Sequence, residues 1–288
     1  MPELPEVEVV KRSLEKYIIG LKVKKVTINV EKLRYKLFKK DFIKVINKKI
    51  FSVERRSKYL LLNLEKKKII LVHLGMTGKF FIVNKDNKKK KTSFYYEITK
   101  KDYKHNHIIF SFQEGLKLIY NDVRKFGFIK VIDYKDKNNN SHLNSLGPEP
   151  LSEDFNIIYF KKYIKNKKNK IKDLLMDQKF VSGLGNIYVN EILFSAGVDP
   201  KKSLIKINLA DIARLIKFTK KILKKSILLG GSSIKNFNDS EGKSGNFQQL
   251  FNVYGRKNGK CPKKKCNEII TKVTISNRAT FYCKRCQK

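Results

Sequence analysis

Acidic residues are scarce in this chain. Asp and Glu total 26 against 65 Lys and Arg, a net charge of +39. No simple small-molecule enzyme needs that excess, so the composition points to a polyanionic partner, nucleic acid first. The charge is not a tail: residues 1–150 carry a net +19 and residues 151–288 a net +20. A polyanion could be gripped between the two halves. Arginine is scarce too, with nine against 56 lysines. Lys and Asn abound throughout, as AT-rich coding would produce, so part of the charge is expected to be solvated surface. The sequence has no run of about 18 apolar residues, which argues against a transmembrane helix. The opening Met1-Pro2-Glu3-Leu4-Pro5-Glu6 is acidic where a secretory leader is basic and then apolar. A cytoplasmic protein is expected. Its four cysteines are then thiols or metal ligands in a reducing compartment.

What is present suits two domains. A chain of 288 residues with 41% hydrophobic content can bury a sizeable core. Pro5 and the acids after it read as a helix start, with Val7, Val10, Leu14 and Tyr17 at helical spacing and Gly20 as the stop. Strand-sized apolar runs follow at 23–30, 51–53, 59–64, 69–74, 79–83, 108–112, 116–120 and 128–132. Many short strands with turns between them suggest a sandwich or barrel. Residues 84–107 interrupt the pattern, and the charge run Lys88–Lys91 reads as a solvated loop. Leu146-Gly147-Pro148-Glu149-Pro150-Leu151 marks the domain boundary. Beyond it, helical spacing covers 157–177, 186–195 and 209–229, the last closed by Gly230-Gly231. Residues 232–246 read as a loop rich in Ser, Gly and Asn. The expected division is 1–147, a linker at 148–156, a helical domain at 157–251 and a cysteine-bearing segment at 252–288.

Two patterns carry chemistry. Cys261-x4-Cys266-x16-Cys283-x2-Cys286 can set four sulfurs around one tetrahedral metal, and the β-rich stretch between the pairs suits a hairpin. Zinc is the expected metal, one structural Zn2+, because four thiolates suit it and no redox role is signalled. At the other end, removal of Met1 would leave Pro2 as a secondary amine. Such an amine can attack an electrophilic carbon and form an iminium, with Glu3 and Glu6 close by as acid/base groups. On those residues alone a helix cap is the simpler reading.

The whole set of motifs changes that balance. Pro2-Glu3-Leu4-Pro5-Glu6-Val7-Glu8, Ser57-Lys58-Tyr59-Leu60-Leu61-Leu62, His73-Leu74-Gly75-Met76-Thr77-Gly78, Asn121-Asp122-Val123-Arg124-Lys125-Phe126-Gly127, Gly183-Leu184-Gly185-Asn186-Ile187-Tyr188 and Arg278-Ala279-Thr280-Phe281-Tyr282-Cys283 occur in order. Together with the boundary motif at Leu146–Leu151 and Val253-Tyr254-Gly255-Arg256-Lys257, they span nearly the whole chain. The sequence resembles bacterial formamidopyrimidine-DNA glycosylases. The resemblance implies an α+β, two-domain fold. An N-terminal β-sandwich flanked by helices would join a helical helix–two-turn–helix domain with a four-cysteine zinc-finger hairpin, and DNA would lie between them. It implies a monomeric, bifunctional base-excision enzyme that removes 8-oxoguanine and formamidopyrimidines from duplex DNA and then cleaves the abasic strand.

By the same resemblance, Pro2 is the nucleophile, Glu3 protonates the sugar ring oxygen, Lys58 is an acid/base and phosphate-contacting group, and Arg278 serves δ-elimination. Met76, Arg124 and Phe126 would fill the void left by the flipped base. His73, His105, Lys167 and Asn186 would contact DNA phosphates, Asn186 at a helix start. Lys235 would belong to a lid over the extruded base. The sequence departs from the family pattern at Val123, Lys125, Asp173 and Leu174, which bears on how Arg124 and Lys172 are positioned. Two rival readings are an endonuclease VIII-type glycosylase for oxidised pyrimidines and a non-catalytic lesion-binding protein. The Met76/Arg124/Phe126 set disfavours the first, and the intact Pro2, Glu3, Lys58 and Arg278 disfavour the second.

Overall fold

The structure, a computed structural model, describes residues 2–84, 89–92, 100–113, 115–232 and 247–288. The chain divides into two compact units. One holds residues up to Asn144 together with residues 229–232, and the other holds Ser145–Leu228 and Phe247–Lys288.

The first unit begins with helix α1 (Leu4–Ile18), which has Pro5 in its first turn and Gly20 in the left-handed region just past its end. Val7, Val10, Leu14 and Ile18 form its buried stripe, so Ile18 occupies the innermost position expected for Tyr17, which packs beside the core. Nine strands follow: β1 (Val23–Ile28), β2 (Ile50–Arg56), β3 (Tyr59–Leu64), β4 (Lys68–His73), β5 (Gly78–Val83), β6 (Lys89–Lys91), β7 (Asn106–Phe112), β8 (Lys117–Asp122) and β9 (Phe128–Asp133). A short helix α2 (Lys39–Ile43) lies between β1 and β2. The strands build two antiparallel sheets, β1-β7-β8-β5-β6 and β2-β3-β4-β9. Alternate residues of both sheets, such as Leu60 and Leu62 of β3 and Phe80 and Ile82 of β5, meet the α1 stripe in one core. That is the period-2 rule of a sandwich. All eight expected strand runs become strands.

The charge run is a correction. Lys89–Lys91 is a strand that pairs with the edge of β5, Phe81 opposite Lys91. A short lysine edge strand keeps further chains from adding to the sheet.

The second unit contains α3 (Ile157–Ile164), α4 (Ile171–Met176), α5 (Asn186–Ala196) and α6 (Leu209–Leu228), then the hairpin β10 (Thr271–Ile275) and β11 (Arg278–Tyr282). The expected helical stretch 157–177 is two helices. Asn166 has φ +63°, which ends α3. Lys170 then bridges Ser203 and the Ile171 amide donates to Lys202 O at 2.9 Å, so the backbone is committed elsewhere before α4 starts. The hairpin turns through Ser276 and Asn277, both at positive φ, as a two-residue type I′ turn requires. Among the described residues no helix is long and apolar enough to cross a membrane.

Candidate active site and metal centre

In the first unit the N-terminus is fixed by carboxylates. Pro2, Glu3 and Glu6 are all buried. Glu3 is the N-cap of α1 and forms a reciprocal capping box with Glu6: the Glu3 amide donates to Glu6 Oε2 at 2.8 Å. This satisfies two amides that a helix start leaves unpaired. The other Glu6 oxygen accepts from Ser232 N at 2.7 Å and Ser232 Oγ at 2.9 Å. Neighbouring Gly231, at φ +82°, sits so close that a Cβ there would lie 3.0 Å from Glu6 Oε1. Glu6 thus ties the chain after α6 to the residue next to Pro2. Lys235 and the rest of the expected lid, 233–246, lie outside the described residues.

Lys58 is buried in the two-residue turn joining β2 and β3. Arg55 secures that turn: its Nη1 donates to Ser57 O and its Nε to Glu8 Oε2 on α1, both at 2.9 Å. The Glu8–Arg55 pair is largely shielded from solvent and holds the Lys58 turn against the helix that carries Glu3. His73 ends β4, and its Nδ1 accepts from Gly75 N at 3.1 Å. The neutral ring therefore carries its proton on Nε2. Burial first, then the charges of Lys58, Arg34 and His142, push its pKa down to about 4. Its ring stacks on Phe128 at 5.7 Å.

Two loops converge at Asp122. This fully buried carboxylate accepts from Thr77 Oγ1, from Gly127 N at 2.8 Å, and from Arg124 N and Tyr120 OH at 3.3 Å. Arg124 N also donates to Thr77 Oγ1 at 3.0 Å. The loops meet so closely that a Cβ on Gly75 would fall 2.4 Å from Gly127 N. Met76 (39% exposed) and Phe126 (47% exposed) are thereby held out in solvent rather than in the core. The Arg124 guanidinium lies 4.4 Å from the Phe126 ring, a cation–π contact. Asp122 and Thr77 hold Arg124, so Val123 leaves it anchored. His107, on β7, donates Nε2–H to Asp122 O at 2.9 Å, and His105 lies just before that strand with its ring 6.3 Å away.

In the second unit Arg278 is exposed at the start of β11, opposite Ile275. Two buried polar residues brace the strand behind it, and a third fixes the turn at 252–254. Lys172 of α4 donates to Thr280 Oγ1 at 2.6 Å and to Ala279 O at 3.3 Å, and burial lowers its pKa to about 8. Asn190 of α5 accepts from Phe281 N at 2.6 Å. Glu191 accepts from Asn252 N and Nδ2, Val253 N and Tyr254 N, at 2.9–3.0 Å. Asn186 opens α5 behind the N-cap Gly185 and donates to Ala279 O at 2.9 Å. Lys167, past α3, lies over the Tyr163 ring at 3.5 Å.

The four cysteines gather in this unit, with their sulfurs within 4.8 Å of one another. Cys261–Cys286 and Cys266–Cys283 are 3.8 and 3.7 Å apart. A disulfide needs about 2.05 Å. Four sulfurs about 2.3 Å from a tetrahedral ion lie about 3.8 Å apart, so the set fits a metal ion.

Asp122, Glu191, Asn190 and Ser232 were not among the expected site residues. The signal for Glu191 was present: Asn190-Glu191 interrupts an otherwise apolar helix.

Comparison with known proteins agrees with this geometry. Residues 1–129 match the formamidopyrimidine-DNA glycosylase N-terminal domain and residues 146–238 its H2TH domain. The chain is 40% identical to the formamidopyrimidine-DNA glycosylase of Rickettsia bellii and 35% identical to that of a Ruegeria species, over the full length of every chain. Among solved structures it resembles a Lactococcus lactis Fpg variant bound to Fapy-dG-containing DNA (TM-score 0.86, 34% identity, all of both chains). It also resembles the Lactococcus lactis Fpg bound to DNA with an abasic site (TM-score 0.85, 33% identity, 99% of both chains). This chain belongs to the formamidopyrimidine-DNA glycosylase family, enzymes of base-excision repair that act on oxidised purines in DNA.

Proposed function

We propose that the chain excises 8-oxoguanine and formamidopyrimidines from duplex DNA through an iminium on Pro2, and then cuts the strand by β,δ-elimination. The observation that carries this reading is the Glu3–Glu6 capping box, which buries and fixes the N-terminus around Pro2. With Met1 removed, the Pro2 nitrogen attacks C1′ and the glycosidic bond breaks. Glu3 protonates the sugar ring oxygen as the ring opens to the iminium. The iminium acidifies the C2′ protons, and loss of one expels the 3′ phosphate; the conjugated iminium then acidifies the C4′ proton, whose loss expels the 5′ phosphate, with Lys58 and Arg278 serving these eliminations.

The base must leave the stack first. Phe126 and Met76 replace its stacking, and Arg124 bonds the orphaned partner. His73, His105, Lys58, Lys167, Asn186 and Arg278 hold phosphates, and Lys235 belongs to the lid over the extruded base. The four thiolates hold one structural Zn2+, which supplies folding energy to the hairpin rather than a reactive site. The working division is 1–147, 148–156, 157–251 and 252–288. The protein acts as a cytoplasmic monomer on the genome.

Borohydride trapping on a duplex with a single 8-oxoguanine opposite cytosine, followed by peptide mapping, tests the reading. An adduct on Pro2 is expected, and Pro2→Gly should keep DNA binding while losing most excision. Tight binding with neither adduct nor cleavage would mean a lesion-binding protein. An adduct formed only with thymine glycol would mean the pyrimidine-specific relative.

A further inference from the structure

Helix α3 buries too little of what it carries. Six of its eight residues are aliphatic or aromatic, yet only Phe160 is buried. Ile158 is 80% exposed. Lys161, Lys162 and Lys165 follow it at i+3, i+4 and i+7, so all four share one helical face. A groove of about 620 Å³ runs between this helix and the start of α6. The three lysines and Ile164 line one side, and Ile207, Leu209 and Ile212 line the other. Leu209 is 55% exposed, and Ile205 just outside the groove is 67% exposed. None of the three lysines forms an ion pair with a described residue. Exposed apolar clusters rimmed by charge mark interaction sites, and the volume is that of an ordinary binding groove.

We propose that this groove docks an acidic peptide segment of a partner protein, seating one or two large apolar side chains between α3 and α6 under carboxylates held by Lys161, Lys162 and Lys165. The chemistry selects that occupant. A duplex would pair with the lysines but has nothing to fill the aliphatic floor. A second copy of this chain brings a net +39 to an already cationic surface, and like charge opposes that association. A lipid surface favours a protruding apolar ridge, whereas this feature is concave. An acidic amphipathic segment satisfies floor and rim together, as helix-in-groove recognition does. None of the groove residues belongs to the set assigned to excision, so the inference stands apart from the proposed reaction.

The test is fluorescence anisotropy with the full-length protein in about 0.15 M salt, where surface charge is largely screened beyond about 8 Å. The probe is a fluorescein-labelled acidic peptide of about ten residues with Leu and Phe three positions apart. Saturable binding is expected. Leu209→Asp and Lys162→Glu should each weaken it about tenfold, equivalent to about 1.4 kcal/mol. Excision of 8-oxoguanine should stay at the wild-type rate. Leu209 is exposed, so its substitution should leave the melting temperature unchanged, and Lys162→Glu serves as the independent variant if it does not. Equal binding of a control peptide with Ser at both apolar positions would overturn the proposal, because charge alone would explain it. So would indifference to both substitutions. Loss of duplex affinity in Leu209→Asp would reassign the groove to DNA, and loss of binding to anionic phosphatidylglycerol vesicles, with the peptide unaffected, would reassign it to membrane.

Discussion

The two units fix the residues proposed to react by different physics. In the first, Pro2, Glu3 and Lys58 hang from a large apolar core in which α1 packs with alternate residues of two sheets. Its buried carboxylates, Glu6 and Asp122, bind neighbouring loops to that core. In the second, the strand that begins with Arg278 lies over a small core. Phe194, Val253, Ile270 and Phe281 cluster there with Cys261, Cys266 and Cys283. Lys172 and Asn190 brace the strand from behind, and Glu191 fixes the turn at 252–254, whose Tyr254 packs on Phe281. Part of that small core is the ligand set itself. A core of that size cannot by itself offset chain entropy, so the hairpin depends on its cysteine cluster and on hydrogen bonds, while the helices of the same unit bury a larger apolar core of their own, with Phe160, Phe180, Tyr188 and Leu215 fully buried.

Metal removal should break the comparison most sharply. Chelation is expected to unfold the hairpin β10–β11 and to abolish specific DNA binding, because the bonds to the ion are what would hold the four sulfurs together. The sandwich should persist. Hydrogen exchange resolved by segment reads both: fast exchange at 271–282 with protection retained at 59–74. Protection retained in the hairpin after chelation would show that the brace suffices without the ion.

The braces come next. Glu191→Ala leaves four buried or half-buried donors without their acceptor, which should cost about 2–4 kcal/mol and fall on the second unit alone. Asp122→Ala should cost a similar amount in the first unit. It should also free the Met76 and Arg124 loops, so excision of a stacked lesion should fall much more than cleavage at a preformed abasic site. Segment-resolved exchange and the two activities, measured on both variants, decide this. Equal loss of both activities in Asp122→Ala would mean that the loops do not act in base extrusion. A smaller effect is expected at Lys172. Its pKa near 8 means that its ammonium is lost as pH rises through that value. Strand cleavage that depends on the Arg278 strand should then decline above pH 8 in the wild type, and Lys172→Met should remove that decline.

Much of this was readable in the sequence, for identifiable reasons. Strands with one face in a core alternate, so all eight runs could be placed. The cysteine spacing fixed a ligand cluster because few other arrangements satisfy it. The break between α3 and α4 was not readable, since the apolar spacing runs through it. What ends the helix is one left-handed asparagine and a bridge to Ser203, more than 30 residues away. The Lys89–Lys91 strand was hidden for a similar reason: its pairing with β5 is a tertiary fact that overrides its charge. Asp122 and Glu191 were missed because what matters is the donors that reach them: those of Glu191 come from a turn at 252–254, and those of Asp122 from the way its own loop folds back and from the distant Thr77.

The smallest expected effect separates the units by pH. All four histidines, His73, His105, His107 and His142, precede residue 145, so imidazole titration is confined to the first unit. His73 has its pKa lowered from 6.5 to about 4, by burial and then by Lys58, Arg34 and His142. Between those values the unfolded chain binds a proton that the folded chain refuses, so stability rises with pH across that window. The contribution is complete above about pH 6.5 and disappears as the pH falls toward 4. The full gap corresponds to about 3 kcal/mol, and partial exposure of the ring reduces it to about 1–2 kcal/mol. His73→Gln should therefore flatten the fall in stability between pH 6.5 and 4.5 by about that amount, read from urea unfolding of the sandwich by tyrosine fluorescence. Metal loss at low pH affects the second unit in wild type and variant alike, so it cancels in the difference. An unchanged slope would mean that His73 is charged in the folded protein and that its Gly75 bond does not hold the neutral ring.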